Sequence, residues 1–181
     1  MRRYSPRFVA GIGWNHWPGS RGICGRDRLE SVAGIVWNLQ GNLGEEQKSQ
    51  NLYNLARIKG RIGKFNEAED LHKQSIEIEK KLSPQMTQKL GKRYVELAVI
   101  YLMKTKMANG EIKLEGVDLS QGEDKIKDGS VFLQELTPIV NQYSGSERAS
   151  VKKIYQAYSE ELMKQNQVER ANEFSIISGK L

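Results

Sequence analysis

Leu52, Leu55 and Ala56 recur 42 residues downstream as Tyr94, Leu97 and Ala98. A chain that repeats itself at such a period is restricted to stacked small units, each too small to bury its own apolar face. The first occurrence is the most complete. In "SQNLYNLARIKGRI", Leu52, Leu55, Ala56 and Ile62 share one side of a helix, which Gly63 breaks. "IGKFNEAEDLHKQSIEIEKKLSPQ" resumes with Phe65, Ala68, Leu71, Ser75 and Ile78, and Ser83-Pro84 stops it because proline disfavours helix in the residue before it. Two helices of about four turns joined at a glycine form a helical hairpin.

A second copy begins with "GKRYVELAVIYLMK", and a third, "KIYQAYSEELMKQNQVERANEFSIIS", keeps the layout with Tyr155, Tyr158, Asn166, Val168 and Ala171. From Ser49 to Ala68 is 19 positions, as is Lys152 to Ala171; from Ala68 to Gly91 is 23, as is Gly129 to Lys152. Between Gly91 and Gly129 lie 38 positions, so the middle unit carries an insertion. These offsets predict an all-α array with units at about 49–90, 91–151 and 152–181, and an inserted loop at 104–125. Within that loop "EIKLEGVDL" alternates as a small hairpin would. The loop is expected to bind a partner, fold over a neighbouring surface or project into solvent.

The first forty residues are of another kind. They hold six arginines, no lysine, two acids and all three tryptophans, for a net +4 of the chain's +6. Glycine and proline interrupt every apolar run up to residue 27, which predicts an irregular or disordered leader. A secretory signal is not supported, because the run from Phe8 to Trp14 is diluted by glycine and no cleavage site follows. An arginine-rich transit peptide, a misassigned start codon or an artificial leader would each explain the abrupt change. Residues 28–40 differ: Asp27 can cap a helix, and Leu29, Val32, Val36 and Leu39 recur at spacings of three and four. A capping helix there, joined by a linker through residue 48, coincides in the 42-residue register with the second helix of a degenerate preceding unit.

No apolar run reaches the roughly 18 residues that a membrane-spanning helix needs. One cysteine, Cys24, excludes an intramolecular disulfide, and with only His16 and His72 beside it no Cys/His zinc site can be assembled, so no metal or cofactor is expected. His72, on a repeat helix, is expected to pack rather than catalyse, and "GIG" at Gly11–Gly13 lacks the strand, third glycine and helix of a dinucleotide loop. Glu77 and Lys81 in "EIEKKLS" are read as an i, i+4 pair on a solvated face. Lysine and glutamate alternate through the body without the clustered basic groups and stacking aromatics that nucleic acid requires.

In these positions the chain resembles the tetratricopeptide repeat, most closely its extended form of about 42 residues found in kinesin light chains and many bacterial proteins. The family pattern falls on Leu52, Leu55, Ala56, Gly63, Phe65 and Ala68, and then on Tyr94, Leu97, Ala98 and Tyr101. Lys59 and His72 depart from it, Gly129 stands where alanine is usual, and Ser159, Leu162 and Asn166 are looser substitutes. The resemblance implies a right-handed α-α superhelix whose first helices line a concave, peptide-binding groove. Its lining would be Tyr53, Asn54, Arg57 and Arg61 from unit one, Lys92, Val95, Glu96 and Val99 from unit two, and Lys153, Gln156, Ala157 and Glu160 from unit three. Arg57, Arg61 and Lys92 would suit a carboxylate or acidic peptide, although the Lys and Asn set with which chaperone-binding members hold a terminal carboxylate is not reproduced. The implied protein is a noncatalytic scaffold that binds another protein or a peptide. The alternatives are an accessory or regulatory subunit of an enzyme or envelope-associated complex, and then RNA binding. A cytoplasmic location is favoured, with an exported or envelope-associated one if the leader is not native.

Overall fold

The computed structural model describes residues 44–112 and 116–181. Among them six α-helices follow one another: α1 (Glu45–Arg61), α2 (Phe65–Leu82), α3 (Gln88–Ala108), α4 (Ile126–Leu136), α5 (Gly145–Lys164) and α6 (Val168–Lys180). Short 3-10 turns occupy Leu119–Gln121 and Thr137–Gln142, and no strand occurs among the described residues. Each helix packs against its neighbour in sequence, which makes the fold an all-α array of helical hairpins. The expected leader at 1–27 and helix at 28–40 lie outside the described residues.

Three boundaries differ from the sequence expectation. Residues 45–48 belong to α1 rather than to a linker, with Glu45 and Glu46 in its first turn, where a carboxylate complements the helix dipole. The insertion begins at Asn109, not at 104, because α3 runs on to Ala108 and buries Lys104, Thr105 and Met107. The third hairpin opens at Gly145, seven residues before 152. Its start is marked by Ser144-x-x-Glu147, where the Ser144 N–H and hydroxyl both donate to the Glu147 carboxylate.

Small residues set how closely the helices approach. Ala56, Ala68, Ala98 and Ala171 are all fully buried. Gly129 departs from alanine for a local reason: a Cβ there would lie 1.9 Å from the Tyr158 hydroxyl oxygen. That hydroxyl donates a 2.6 Å hydrogen bond to the Ala98 carbonyl, so a tyrosine of α5 passes over α4 to reach α3. Gly63, in the α1–α2 turn, has φ +79°, which a side chain would strain, and Val117 of the insertion sits where its Cβ would be.

The insertion therefore folds back on the first hairpin. Ile112 is buried with Phe65, Ala68, Ile100 and Met107. The Gln121 side chain accepts from the Asn66 N–H and donates to the Gly63 carbonyl, both at 3.2 Å, so it caps the start of α2, where Lys64 provides no side-chain cap. Lys104 Nζ binds Glu69 at 2.6 Å and Glu123 at 3.1 Å. The hairpin expected in "EIKLEGVDL" is not formed by the residues described there: Gly116 and Val117 make a turn and bend and Leu119 begins a 3-10 turn, while 113–115 lie outside the description.

A buried polar network joins the first three helices. Arg93 of α3 donates to Ser75 Oγ at 2.8 Å and to Ser49 Oγ at 3.0 Å, and its guanidinium lies 3.1 Å from the Glu79 carboxylate. Ser75 Oγ donates in turn to the Ser49 carbonyl at 2.8 Å. The charged face read from "EIEKKLS" is thus divided. Glu77 and Lys81 are exposed, but Glu79 points inward and is 4% exposed, because a cation from the next unit meets it there.

Two measurements follow from this packing. Arg93→Met strands the Glu79 carboxylate and should lower unfolding free energy in urea by about 3–5 kcal/mol, of which adding Glu79→Gln recovers a large part. Gly129→Ala should cost about 1–3 kcal/mol by overpacking against Tyr158; an unchanged denaturation midpoint would contradict the placement of that ring.

Candidate functional site

Helical spacing puts Gln50, Asn54, Arg57 and Arg61 on one flank of α1 and Ile58 and Ile62 on another. Of the polar flank, Arg57 reaches α3. Arg57 Nε lies 3.1 Å from Glu96 of α3, and Lys92, one turn earlier, lies 2.8 Å from Glu147 of α5. The Tyr53 ring sits beneath, with the Arg57 guanidinium 5.7 Å and that of Arg93 5.2 Å from its centroid. Tyr53 thereby links the buried network to the groove.

The electrostatics are uneven. Burial raises Glu96, although Arg57 and Arg61 both oppose the shift. Burial, then the charge of Arg57, makes Arg61 less basic than an ordinary arginine. Bonds from Lys92, and more weakly from Ser144, hold Glu147 below the usual carboxylate range despite partial burial. Arg61 is half-buried, makes no ion pair among the described residues, and its buried Nε has no acceptor. Three cations (Arg57, Arg61, Lys92) thus face two carboxylates (Glu96, Glu147), with the unmatched charge at the Arg61 end.

The predicted lining is brought together only in part. Arg57 and Arg61 lie near Glu96, with Tyr53 and Glu96 themselves buried; Lys92 pairs instead with Glu147, and along α1 the Gln50 side chain donates to Asn54 Oδ1 at 3.1 Å. Val95 and Val99 are corrected: both are buried in the main core with Ile154 and Tyr155, because α5 packs over that side of α3. Lys153, Gln156 and Glu160 are exposed on α5, Ala157 is half-buried, and no hydrogen bond or ion pair among the described residues joins them to the α1–α3 patch. The residue missed was Glu147, which lay outside the third unit as drawn from the repeat. The Ser144-x-x-Glu147 signature was the signal that would have found it.

His72 lies behind Tyr53, ring edge to ring face at 5.8 Å, fully buried and with neither nitrogen hydrogen-bonded. Burial, followed by the charges of Arg57 and Arg93, lowers its pKa to about 3. Among the described residues no group of three or more His, Cys, Asp or Glu is placed to hold a metal ion, and no helix is long and apolar enough to cross a membrane. Compared with known proteins, the chain matches no protein-family model and no curated sequence.

The buried imidazole has a measurable signature. The folded protein keeps His72 neutral while the unfolded chain takes up its proton near pH 6.5, so stability falls as pH drops through the window from 6.5 towards 3. Between pH 7 and 5 the native protein should lose about 2 kcal/mol that His72→Leu does not lose. The raised Glu96 acts with the opposite sign but is common to both proteins, so it cancels in the comparison.

Proposed function

We propose that this chain is a noncatalytic protein-interaction module of tetratricopeptide-like build, whose groove holds a peptide segment bearing a carboxylate at the Arg61 end. The 42-residue recurrence supports the repeat reading, and the α1–α3 patch supports the ligand chemistry. One observation carries it: Arg61 is half-buried and makes no ion pair among the described residues, in a patch where cations outnumber carboxylates. A partly desolvated guanidinium gains most from a charge-assisted, two-pronged bond to a carboxylate. Arg57 and Lys92 serve chiefly to neutralise Glu96 and Glu147, so specificity falls to Arg61 and to Asn54 and Gln50 beside it.

The test uses the full chain against arrayed peptides in which each Asp or Glu is paired with its Asn or Gln counterpart. The native protein should favour the acidic member, and Arg61→Gln should weaken that binding by about tenfold or more, as loss of a charged hydrogen bond does. Thermal stability should stay unchanged, since Arg61 holds no buried partner. Equal binding of acidic and amide peptides, or full retention by Arg61→Gln, would remove the proposal. Arg57 is left intact because its loss would strand Glu96.

A further inference from the structure

Asn109 ends α3 and is the only asparagine of the chain that a glycine follows. A glycine nitrogen is an unhindered nucleophile toward the side-chain amide before it, because no side chain stands on its Cα. Here Gly110 also lies open: its φ is +71°, and nothing is within 4 Å of where a Cβ would sit. Asn109 is exposed to water, yet its side chain reaches inward. Its Nδ2 donates at 2.7 Å to Oε1 of Glu161, a fully buried carboxylate of α5. The other side-chain donor to that carboxylate among the described residues is Lys164, at 3.1 Å, which also binds Glu111. The Asn109 amide thus ties the end of α3 to the third hairpin, beside the bond from Gln165 Nε2 to Asp124 at 2.9 Å.

We infer that Asn109 is a modification site at which the chain deamidates itself, and that the carboxylate so formed parts the end of α3 from α5. The Gly110 nitrogen gives its proton to solvent and bonds to Asn109 Cγ. The Cγ–Nδ2 bond breaks and Nδ2 leaves as ammonia, taking a proton from water. Water then opens the five-membered imide at either carbonyl, which leaves aspartate or isoaspartate. One water is consumed, one ammonia is released and nothing is oxidised or reduced. The fold holds this reaction back. Ring closure requires the Asn109 side chain to leave Glu161 and the Gly110 N–H to leave the Met107 carbonyl, to which it donates at 3.0 Å. Local opening of the end of α3 therefore sets the rate. After conversion an anionic oxygen replaces the donor opposite Glu161. The buried carboxylate loses a hydrogen bond and meets a like charge, both costly where water is excluded. Lys164, half-exposed and shared with Glu111, does not offset two carboxylates.

Incubation of the full chain at mildly alkaline pH, followed by tryptic mapping, tests this. The peptide of residues 107–113 should gain one mass unit and resolve into aspartate and isoaspartate forms ahead of every other asparagine-bearing peptide. Conversion should run at least about tenfold more slowly than in the chain unfolded in urea, as a reaction gated by local opening does. Asn109→Gln, whose longer side chain does not favour the five-membered ring, should not convert. In the converted fraction, and in Asn109→Asp, amides of 161–167 should exchange hydrogen faster while 52–60 of α1 keep their rates. No conversion in the folded chain once the unfolded chain has converted fully would overturn the site. Unchanged exchange at 161–167 in the converted protein, or faster exchange that includes 52–60, would overturn the local release.

Discussion

The guanidinium of Arg93 is the fixed point of the described structure. It comes from α3 and ends on Ser49 of α1 and on Ser75 and Glu79 of α2, so three helices share one buried charge pair. A pair of this kind adds little net stability over a well-packed apolar substitute, but it tolerates one arrangement only, since a shift of any helix leaves a charge unpaired. Apolar stripes alone would permit neighbouring hairpins to slide by a turn. The network joins the first unit to the second, and through the Tyr53 ring, which both Arg93 and Arg57 approach, it is continuous with the Arg57–Glu96 pair.

The charged patch between α1 and α3 is therefore more constrained than a row of surface charges. Arg57 and Lys92 are held by carboxylates of the first helix of the following hairpin, Glu96 and Glu147, so each step from hairpin to hairpin carries its own ion pair. Arg61 has no such counterpart among the described residues. Arg61 is half-buried, so its guanidinium is partly withdrawn from water without a carboxylate among the described residues to take its place.

The fold was legible in the sequence wherever periodicity and punctuation agreed. Gly63 and Ser83-Pro84 mark the ends of α2 closely, and the buried small residues at Ala56, Ala68, Ala98 and Ala171 follow from the repeat. Helix extent was less legible. Lys104 reads as the start of a polar loop, yet it is buried because Glu69 and Glu123, distant in sequence, converge on it. Likewise Glu79 reads as surface until Arg93 is placed opposite. The site was legible on α1, where the side chains follow one helix, and less so on α3. Position within the repeat points Val95 and Val99 outward, and only the packing of Ile154 and Tyr155 of α5 in the same cluster shows that they face the core.

Gln121 finishes the first turn of α2 from 55 residues away. A ribosome delivers α2 well before it delivers Gln121, and Glu79 well before Arg93. The emerging first hairpin thus lacks the cap at the start of α2 and the cation that meets Glu79, and it gains both only when α3 and the insertion have been made. Repeat arrays are often pictured as folding from whichever unit forms first. In this chain the first unit is completed by residues made after it, because the inserted loop supplies the cap of α2 and Ile112 of its core.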